Sequence, residues 1–180
     1  MAQEMSLSEL MDRASAGDPA AFGQLADAMQ DRLYRFALAH GLHRADAAEA
    51  VQDAMMRAWR SRARWKKGGN ANSWLHGITL NVVREQRRRL GKIRASGLDP
   101  DLLAGGDSAG TAEREERLGR MAEAMQQLPP RQREALTCRY LRQMSVKETA
   151  EAMGCAEGTV KAAAFAALEN LRKALDTTDE

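Results

Sequence analysis

The 180-residue sequence has few aromatic residues and only two cysteines. Aromatic side chains make up 4% of it, and its 44% hydrophobic content is dominated by Ala, Leu and Met, which favour helices. No apolar run of about eighteen residues predicts a transmembrane helix, and residues 1–18 lack the apolar core of a signal peptide. Cys138 and Cys155, without CxxC spacing, indicate reduced thiols. We therefore expect a mostly helical cytoplasmic protein.

The motifs of common enzyme classes are also missing. The chain has no Gly-rich phosphate loop, no G-x-S-x-G and no HExxH. His40 and His43 form an H-x-x-H pair at a predicted helix end, but no third ligand lies nearby, which favours a capping or surface role over zinc. We expect no catalytic activity, no metal, no cofactor and no small-molecule substrate.

Positive charge is concentrated in one segment, although the formal net charge of the chain is only +2. Residues 57–94 hold twelve Lys or Arg and one acid, Glu85, which leaves fifteen basic and twenty-four acidic residues elsewhere. Such clustering is typical of a surface that binds phosphate groups. The segment is therefore the first candidate for contact with nucleic acid.

Apolar residues at helical spacing predict a small helix bundle over residues 1–92, called here the N-terminal block. Its main helices are "GDPAAFGQLADAMQDRLYRFALAHG", "RADAAEAVQDAMMRAWRS" and "NSWLHGITLNVVREQRRRL", and the basic loop "RARWKKGGNAN" precedes the third. We expect Trp59 and Trp74 to belong to its core, whereas Trp65 is equally compatible with a core position and with stacking on a base. Residues 93–112, rich in Gly, Asp and Ser, predict a flexible linker. The blocks on either side are tethered but need not pack together.

Residues 113–180, the C-terminal block, contain the spacing of a helix-turn-helix. "SVKETAEAMG" predicts a capping box between Ser145 and Glu148. Ala150 is small where two helices cross, Gly154 suits the turn, and Val160 packs the second helix. Upstream, we expect Tyr140 and either Cys138 or the stem of Arg139 to be buried. The sequence thus predicts an all-α protein of two small domains, a helix bundle and a helix-turn-helix.

The two blocks resemble the extracytoplasmic-function (ECF) sigma factors of bacterial RNA polymerase. "LPPRQREALTCRYLRQMSVKETAEAMGCAEGTVKAAAFAALENLRKAL" is similar to their C-terminal promoter-binding domain. "DPAAFGQL", "AEAVQDAMMRAWR" and "SWLHGITLNVVREQRRR" are similar to their N-terminal domain. The resemblance implies that the chain binds core RNA polymerase and promoter DNA and is controlled by an anti-sigma factor.

The resemblance also implies roles for individual residues. The helix "AEAVQDAMMRAWR" corresponds to the one that contacts the polymerase clamp, and its exposed polar residues are Glu49, Gln52, Asp53 and Arg57. The basic loop and the next helix correspond to the site for the unwound −10 element, with candidates Arg62, Arg64, Trp65, Lys66, Lys67, Asn70, Asn72, Arg84, Arg87 and Arg88. The candidates for contact with the −35 duplex are Arg131, Arg142, Lys147, Glu157, Thr159 and Lys161. Arg133 and Arg139 are further candidates for contact with the DNA backbone.

The expected −35 reading helix departs from the family pattern. Where the family has Ser, Ser and Arg, this chain has Ala156, Ala162 and Ala163. Each lost charge-assisted contact is worth about 1–3 kcal/mol, so we expect the C-terminal block alone to bind DNA weakly. The alanines keep this helix rigid and let a face of Phe165, Leu168 and Leu171 pack.

Two other functions are compatible with parts of the sequence. A transcriptional regulator could bind duplex operators through the helix-turn-helix without polymerase and use the N-terminal bundle for dimerisation or sensing. The position of most positive charge in the N-terminal block disfavours it. An interaction protein that no longer binds promoters is the third possibility, and the alanine-rich helix is its best support.

Overall fold

A computed structural model describes residues 5–89 and 112–176, with the side chains of residues 112–115 and 118 outside that description. Within these ranges every regular element is helical, which confirms the predicted fold class. The N-terminal block contains α1 (Leu7–Ser15), α2 (Pro19–Ala39), α3 (Arg44–Ser61), a 3-10 turn (Arg62–Arg64) and α4 (Ala71–Arg89). The C-terminal block contains α5 (Ala112–Gln127), α6 (Pro130–Leu136) with a π turn (Thr137–Leu141), α7 (Val146–Met153) and α8 (Glu157–Asp176).

Apart from Ala112, the predicted linker of residues 93–112 lies outside the described residues. The domain boundaries at residues 92 and 113 therefore stay predictions. None of the helices within the described ranges is long and apolar enough to cross a membrane.

Local side-chain caps determine where several helices begin. Asp18 accepts hydrogen bonds from the backbone of Ala20 and Ala21, both at 3.0 Å, one residue before Pro19 opens α2. Ser145 and Glu148 form the predicted capping box of α7, with distances of 2.6 and 3.1 Å between their backbone nitrogens and side-chain oxygens. These bonds satisfy amide groups that have no partner inside the helix.

The predicted helix-turn-helix is present between α7 and α8. Gly154 ends α7 in the left-handed conformation with φ of 64°, which a residue without a β-carbon adopts at little cost. Ala150 and Val160 are both buried, and the Cys155 amide donates to the Ala150 carbonyl at 3.0 Å. The turn therefore holds the two helices as the spacing predicted.

The expected packing of the second helix was wrong for two residues. Leu171 is buried, but Phe165 is 68% exposed and Leu168 is 42% exposed. The buried stripe of α8 consists instead of Val160, Ala164, Ala167 and Leu171. Each helical residue rotates by about 100°, so Phe165 lies well round the helix from this stripe. Ala164 and Ala167 thus belong to the packed face, whereas Phe165 and Leu168 lie in solvent.

The π turn after α6 brings a further correction. Cys138, one of the two expected alternatives, is buried there, but Tyr140, expected to be buried, is 52% exposed. The wider π turn shifts the side-chain sequence relative to an α-helix, so positions read at α-helical spacing no longer share one face.

The core of the N-terminal block lies between α1, α2, α3 and α4. Leu25, Met29 and Leu33 of α2 are fully buried there with Met11 and Leu75. Trp59, Trp65 and Trp74 are all half-buried, so none of them is enclosed in the core. Trp65 and Trp74 meet edge to face with centroids 5.6 Å apart.

The two blocks pack against each other, which the sequence did not predict. Phe36 of α2 and Leu80 of α4 are buried in one cluster with Cys138, Met144 and Met153 of the C-terminal block. A second cluster joins Ala39 to apolar residues of α5, α6 and α8, among them Met125, Leu128, Leu136, Ala167 and Leu171. Burial of apolar surface therefore stabilises the contact between the blocks.

Gly77 is the point of closest approach between α4 and α7. A β-carbon placed there would lie 3.2 Å from Cα and 3.8 Å from Cβ of Ala152. The absence of a side chain thus allows two helix backbones to approach closely. Ala152, itself small, completes the contact from α7.

Two histidines of the N-terminal block are buried where the C-terminal block covers it. His40, the C-cap residue of α2, donates through Nδ1 to the Phe36 carbonyl at 2.7 Å, and His76 donates to the Asn72 carbonyl at 2.8 Å. Phe36 packs against both rings, at 4.2 and 4.8 Å between centroids. In the part of the chain that the structure describes, neither Nε2 atom has a hydrogen-bond partner. Burial lowers the pKa of both histidines to about 4.

We predict that Phe36→Ala lowers the free energy of unfolding by about 3–5 kcal/mol, because it leaves a cavity in the cluster shared by the blocks. Urea titration of the full chain measures this effect. Phe165→Ala, the same change at an exposed site, should alter stability by less than about 0.5 kcal/mol. Equal effects of the two substitutions would contradict the shared cluster.

We also predict that stability falls as the pH drops from about 6.5 to about 4. In this window the unfolded histidines are protonated while the folded ones are neutral, so acid favours unfolding. The loss reaches at most about 3 kcal/mol per histidine at the acid end. Urea midpoints measured across this range should depend less on pH in His40→Asn/His76→Asn, whereas the exposed His43→Asn should follow the wild type. An unchanged pH dependence in the double variant would contradict the prediction.

Candidate nucleic-acid interface

The predicted polymerase-contact residues lie together on α3 but differ in their exposure to solvent. Glu49 and Gln52 are exposed. Asp53 and Arg57 are half-buried and paired, with 2.8 Å between Oδ2 and Nη2. Arg57 also forms two bonds with Glu85 of α4, at 2.8 and 2.9 Å, and this pairing lowers the pKa of Glu85. Arg57 thus joins α3 to α4, and Glu49 and Gln52 remain the more accessible pair.

The basic loop presents most of its charge to solvent. Arg64, Lys66 and Lys67 are exposed. Arg62 is half-buried, with its guanidinium 4.0 Å from the centroid of the Trp59 ring and its Nη1 donating to the Trp59 carbonyl at 2.9 Å. A cation over an aromatic face is held by the electrostatics of the ring. Arg62 therefore stabilises the end of α3, and the other three residues form the free cationic surface.

Asp12 of α1 determines the shape of this loop, a role that sequence analysis missed. Its Oδ1 accepts from the indole Nε1 of Trp65 at 2.6 Å and from the Gly68 amide at 3.2 Å. Gly69 lies close under the same indole, where an added β-carbon would be 3.0 Å from Cη2. Nothing in the local pattern of α1 links it to a loop more than fifty residues away. Trp65 is thus fixed at its polar edge, with its ring half-buried against Trp74.

Asn70 and Asn72, at the start of α4, have different surroundings. The Asn70 Oδ1 accepts from the Ser73 amide at 3.0 Å and so caps the helix. Its Nδ2 donates to Oε1 of Glu148 in the C-terminal block. Asn72 is half-buried, and its carbonyl accepts from His76. The amide of Asn70 is thus already bound on both sides.

A shallow groove of about 340 Å³ runs between the end of α3 and α4. Its polar lining includes Arg57, Asn81, Arg84 and Arg88, with Glu85 beside them. Guanidinium groups suit phosphate oxygens and an amide suits a base edge. Arg88 is exposed and Arg87 is half-buried, so α4 carries a cationic surface as predicted.

Arg84 lies at the edge of this groove and is bound by the other block. Its Nε and Nη2 donate to the two carboxylate oxygens of Glu134 at 2.9 and 2.6 Å. The Glu134 side chain is 7% exposed and that of Arg84 is 30% exposed. The bidentate pair raises the pKa of Arg84 and lies at the contact between α4 and α6.

The predicted −35 residues are divided between an open groove and more distant positions. Lys147 and Glu157 line a groove of about 560 Å³ between α7 and α8, and Thr159 and Lys161 follow on the exposed start of α8. Arg131 is exposed at the start of α6, and Arg142 is half-buried, with its pKa lowered to about 10 by burial. The structure thus brings four of the six residues to one end of α8.

The two further residues expected to contact the DNA backbone, Arg133 and Arg139, instead donate hydrogen bonds to carbonyl groups of the protein. Arg133 is buried and donates to the Leu128 carbonyl at 3.1 Å, so its expected contact with DNA is wrong in this conformation. Arg139 donates to the Met144 carbonyl. Both guanidinium groups satisfy carbonyls near helix ends, a structural use that the charge pattern alone does not distinguish from phosphate binding.

Comparison with known proteins identifies relatives of both blocks. A family model described as Sigma-70 region 2 matches residues 25–93, and one described as Sigma-70, region 4 matches residues 118–171. The ECF RNA polymerase sigma factor SigM of Mycobacterium tuberculosis is 33% identical over 172 residues, which cover 96% of this chain and 86% of SigM. BldN of Streptomyces coelicolor, also named as an ECF RNA polymerase sigma factor, is 30% identical, and the match covers 93% of this chain and 65% of BldN.

Solved structures give a similar result. The sigma factor RpoE from Bartonella quintana, in its co-crystal structure with the anti-sigma factor NepR, matches with a TM-score of 0.72 and 25% identity, over 86% of this chain and 96% of RpoE. CnrH, in complex with the cytosolic domain of CnrY, has the same fold, with a TM-score of 0.71 and 24% identity over 94% and 97% of the two chains.

Proposed function

The chain belongs to the ECF family of RNA polymerase sigma factors, and we propose that it binds core RNA polymerase and directs initiation at two-part promoters. The observation that carries the proposal is the order of the two sigma-70 regions along the chain, each on its own helical block. In this function the chain supplies binding and positioning, and no catalysis or cofactor is assigned to it. It acts where polymerase and chromosome are, in the cytoplasm.

Polymerase contact is assigned to the polar face of α3. Glu49 and Gln52 are exposed on it, opposite the buried Val51 and Ala54. The ion pairs of Arg57 hold α3 against α4 and so give this face a fixed orientation. A rigid, exposed polar helix face suits contact with a partner helix, because little conformational entropy is lost on binding.

Binding of the unwound −10 strand is assigned to the basic loop and α4. Single-stranded DNA requires a cationic path for the backbone and a surface for the bases. Arg64, Lys66 and Lys67 supply exposed charge, and Arg88 continues it along α4. The loop is held on α1 by Asp12, so these side chains project from a fixed backbone.

Binding of the −35 duplex is assigned to the groove between α7 and α8. Lys147 and Lys161 can contact phosphates, and Glu157 can accept from a cytosine amino group in the major groove. Only Lys161 is basic between residues 155 and 168, so this contact is weak alone. Binding through the N-terminal block and polymerase raises its effective concentration.

Control by an anti-sigma factor is supported by the arrangement of the two blocks. RpoE was crystallised with its anti-sigma factor, and its superposition extends over most of this chain, including both blocks. We call the form in which the C-terminal block packs on the N-terminal block the closed form, and this form matches that of RpoE in its co-crystal structure with an anti-sigma factor. We infer that an anti-sigma factor binds this chain in a similar closed form.

The alternative function, a regulator that binds duplex operators without polymerase, is less well supported. It gives no role to the exposed cations of the basic loop, Arg64, Lys66 and Lys67. It also requires strong duplex binding by α8, whose exposed central surface carries Phe165 and Leu168 in place of basic residues. Both observations favour a protein that needs polymerase to reach its promoters.

The proposed function is tested by transcription in vitro. The purified chain is mixed with core RNA polymerase and genomic DNA from the source organism, and the 5′ ends of the transcripts are mapped. We expect a stable complex on gel filtration and a small set of start sites preceded by two shared sequence elements. Failure to form a complex with the core enzyme would overturn the proposal.

We predict that Lys66→Ala/Lys67→Ala reduces promoter opening at least tenfold while binding to the core enzyme is unchanged, because the exposed loop loses two phosphate contacts. Permanganate reactivity of unpaired thymines measures opening, and gel filtration measures the complex. Arg32→Ala/Arg35→Ala removes the same charge from exposed positions of α2 and should retain opening. Loss of polymerase binding in the lysine variant would reassign the loop to the polymerase interface.

A further inference from the structure

One side of α1 contacts the basic loop up to the point where α4 begins. The Asp12 carboxylate accepts through Oδ1 from the indole Nε1 of Trp65 at 2.6 Å and from the Gly68 amide at 3.2 Å. One helical turn earlier, the Ser8 hydroxyl accepts from the amide of Ala71, the first residue of α4, at 3.4 Å. Residues four apart lie on the same side of a helix, so both side chains face the loop. Helix α1 therefore binds the loop at three points, before, within and after its pair of glycines.

Residues 66–69 of the basic loop form a tight turn. The Gly69 amide donates to the Lys66 carbonyl at 2.9 Å, and Gly68 has a φ of 76°, the positive value that the third position of a type II turn requires. A β-carbon at Gly69 would lie 2.9 Å from that carbonyl and 3.0 Å from Cη2 of Trp65, so the turn packs closely on the indole. Lys66 and Lys67 are exposed. The two lysines thus project from a turn whose backbone is held by Trp65 and by Asp12.

The contacts of Trp65 indicate which of its two expected roles it has. Its Nε1 donates to Asp12, its six-membered ring lies against Gly69, and its ring meets that of Trp74 edge to face. Each of these contacts is with the protein, and together they involve the polar edge and the six-membered ring of the indole. Trp65 therefore links α1 to the turn, which favours a structural role over stacking on a base.

Asp12 places negative charge beside a loop that is assigned to an anionic strand. Coulomb repulsion between the carboxylate and a phosphate weakens binding of that strand. The hydrogen bonds of the carboxylate act in the opposite direction, because a backbone that is already fixed loses less conformational entropy when it binds. Removal of Asp12 therefore changes strand binding with one sign if its charge dominates and with the other sign if its hydrogen bonds dominate.

We propose, on the basis of the function proposed above, that Asp12 is a positioning residue of the −10 site. It acts through Trp65 and the Gly68 amide, and it holds the turn so that the two lysines meet the unwound strand from a fixed backbone. Helix α1 is thereby part of the strand-binding site, although Asp12 itself does not contact DNA.

Two substitutions at this position separate the hydrogen bonds from the charge. Asp12→Ala removes both, whereas Asp12→Asn removes the charge and keeps an oxygen that accepts from the same two donors. The variants are combined with core polymerase, and opening of a promoter mapped in the transcription assay is measured by permanganate reactivity. We expect Asp12→Ala to reduce opening about tenfold and Asp12→Asn to stay within about twofold of the wild type.

Asp27→Ala is the matched control, since it removes an exposed carboxylate from α2 and should leave opening unchanged. The proposal is overturned if Asp12→Ala opens the promoter as well as the wild type or better, because charge repulsion would then be the larger effect. It is also overturned if Asp12→Asn loses as much activity as Asp12→Ala.

The salt dependence of opening distinguishes a displaced turn from a protein that is merely less stable. Loss of two phosphate contacts on a single strand should make the slope of log K against log [KCl] shallower by about 1 to 1.5. We expect this change in Asp12→Ala and not in Asp12→Asn or Asp27→Ala. A smaller fraction of folded protein lowers the amplitude without changing the slope, so an unchanged slope in Asp12→Ala overturns the proposal.

Trp65→Phe tests the link between α1 and the turn. It keeps an aromatic ring but removes the indole N–H, and we expect it to reduce opening about threefold to tenfold. Because Asp12→Ala already breaks this link, the double variant should open no worse than Asp12→Ala alone, within about twofold. Losses that multiply in the double variant would show that Trp65 binds the strand independently and would overturn the proposed link.

Binding to the core enzyme separates failure of this inference from failure of the proposed function. If the wild type forms no complex with core polymerase and initiates no transcription, the proposed function is wrong. If the wild type and Asp12→Ala bind the core enzyme and open promoters equally well, only the role of Asp12 is wrong. An Asp12→Ala chain that binds the core enzyme normally but opens promoters poorly, with activity retained by Asp12→Asn, supports both.

Discussion

The packing of Phe36 and Leu80 against the C-terminal helices is the contact on which the rest of the arrangement depends. Both side chains belong to the N-terminal bundle, yet both are fully buried among residues of α6 and α7. Burial of a Phe or Leu side chain contributes about 1.5–3 kcal/mol. Separation of the blocks would expose both side chains and the two buried histidines, so a partner must supply several kcal/mol to open the chain. Core polymerase and promoter DNA, as binding partners, can supply free energies of this size.

The contact between the blocks also pairs basic residues of the N-terminal block with acids of the C-terminal block. Residues 57–94 are strongly basic, and two side chains of this segment, Arg84 and Asn70, are bound by the acids Glu134 and Glu148 of the C-terminal block. Arg84 with Glu134 is the clearest case, because a buried carboxylate is stable only with a well-placed cation. The cationic surface of the N-terminal block thus binds acids of its own chain.

Local sequence patterns were sufficient for the helices and the helix-turn-helix. The capping box at Ser145, the left-handed turn at Gly154 and the buried Val160 each depend on residues close in sequence, and all three are present. The contact between the blocks could not be predicted in this way. Phe36 fits the helical spacing of its own bundle, so its position gives no indication that it faces another block. The Arg84–Glu134 pair joins residues fifty positions apart, and the sequence around neither residue indicates which residue it pairs with.

Local sequence likewise predicts some residues of the candidate site and not others. Exposed cations in the basic loop follow from composition, because lysines beside two glycines have nothing local to pack against. Asp12, which fixes that loop, and Glu134, which covers Arg84, are single acids on helices with ordinary periodicity. Arg133 has the sequence context of a DNA contact and is instead buried against backbone carbonyls. For such residues the tertiary contact, and not the residue type, decides the role.

The alanine-rich α8 is consistent with a chain whose DNA contacts are conditional. Its buried stripe needs small residues, since Ala164 and Ala167 lie against α5, α6 and the N-terminal block. Its exposed surface keeps Lys161 and few other groups that bind phosphate near the helix start. A helix of this kind adds little affinity alone, and Arg84 of α4 is already paired with Glu134. Promoter binding by such a chain therefore depends on the polymerase, which holds both blocks near DNA at once and converts two weak contacts into one stable complex.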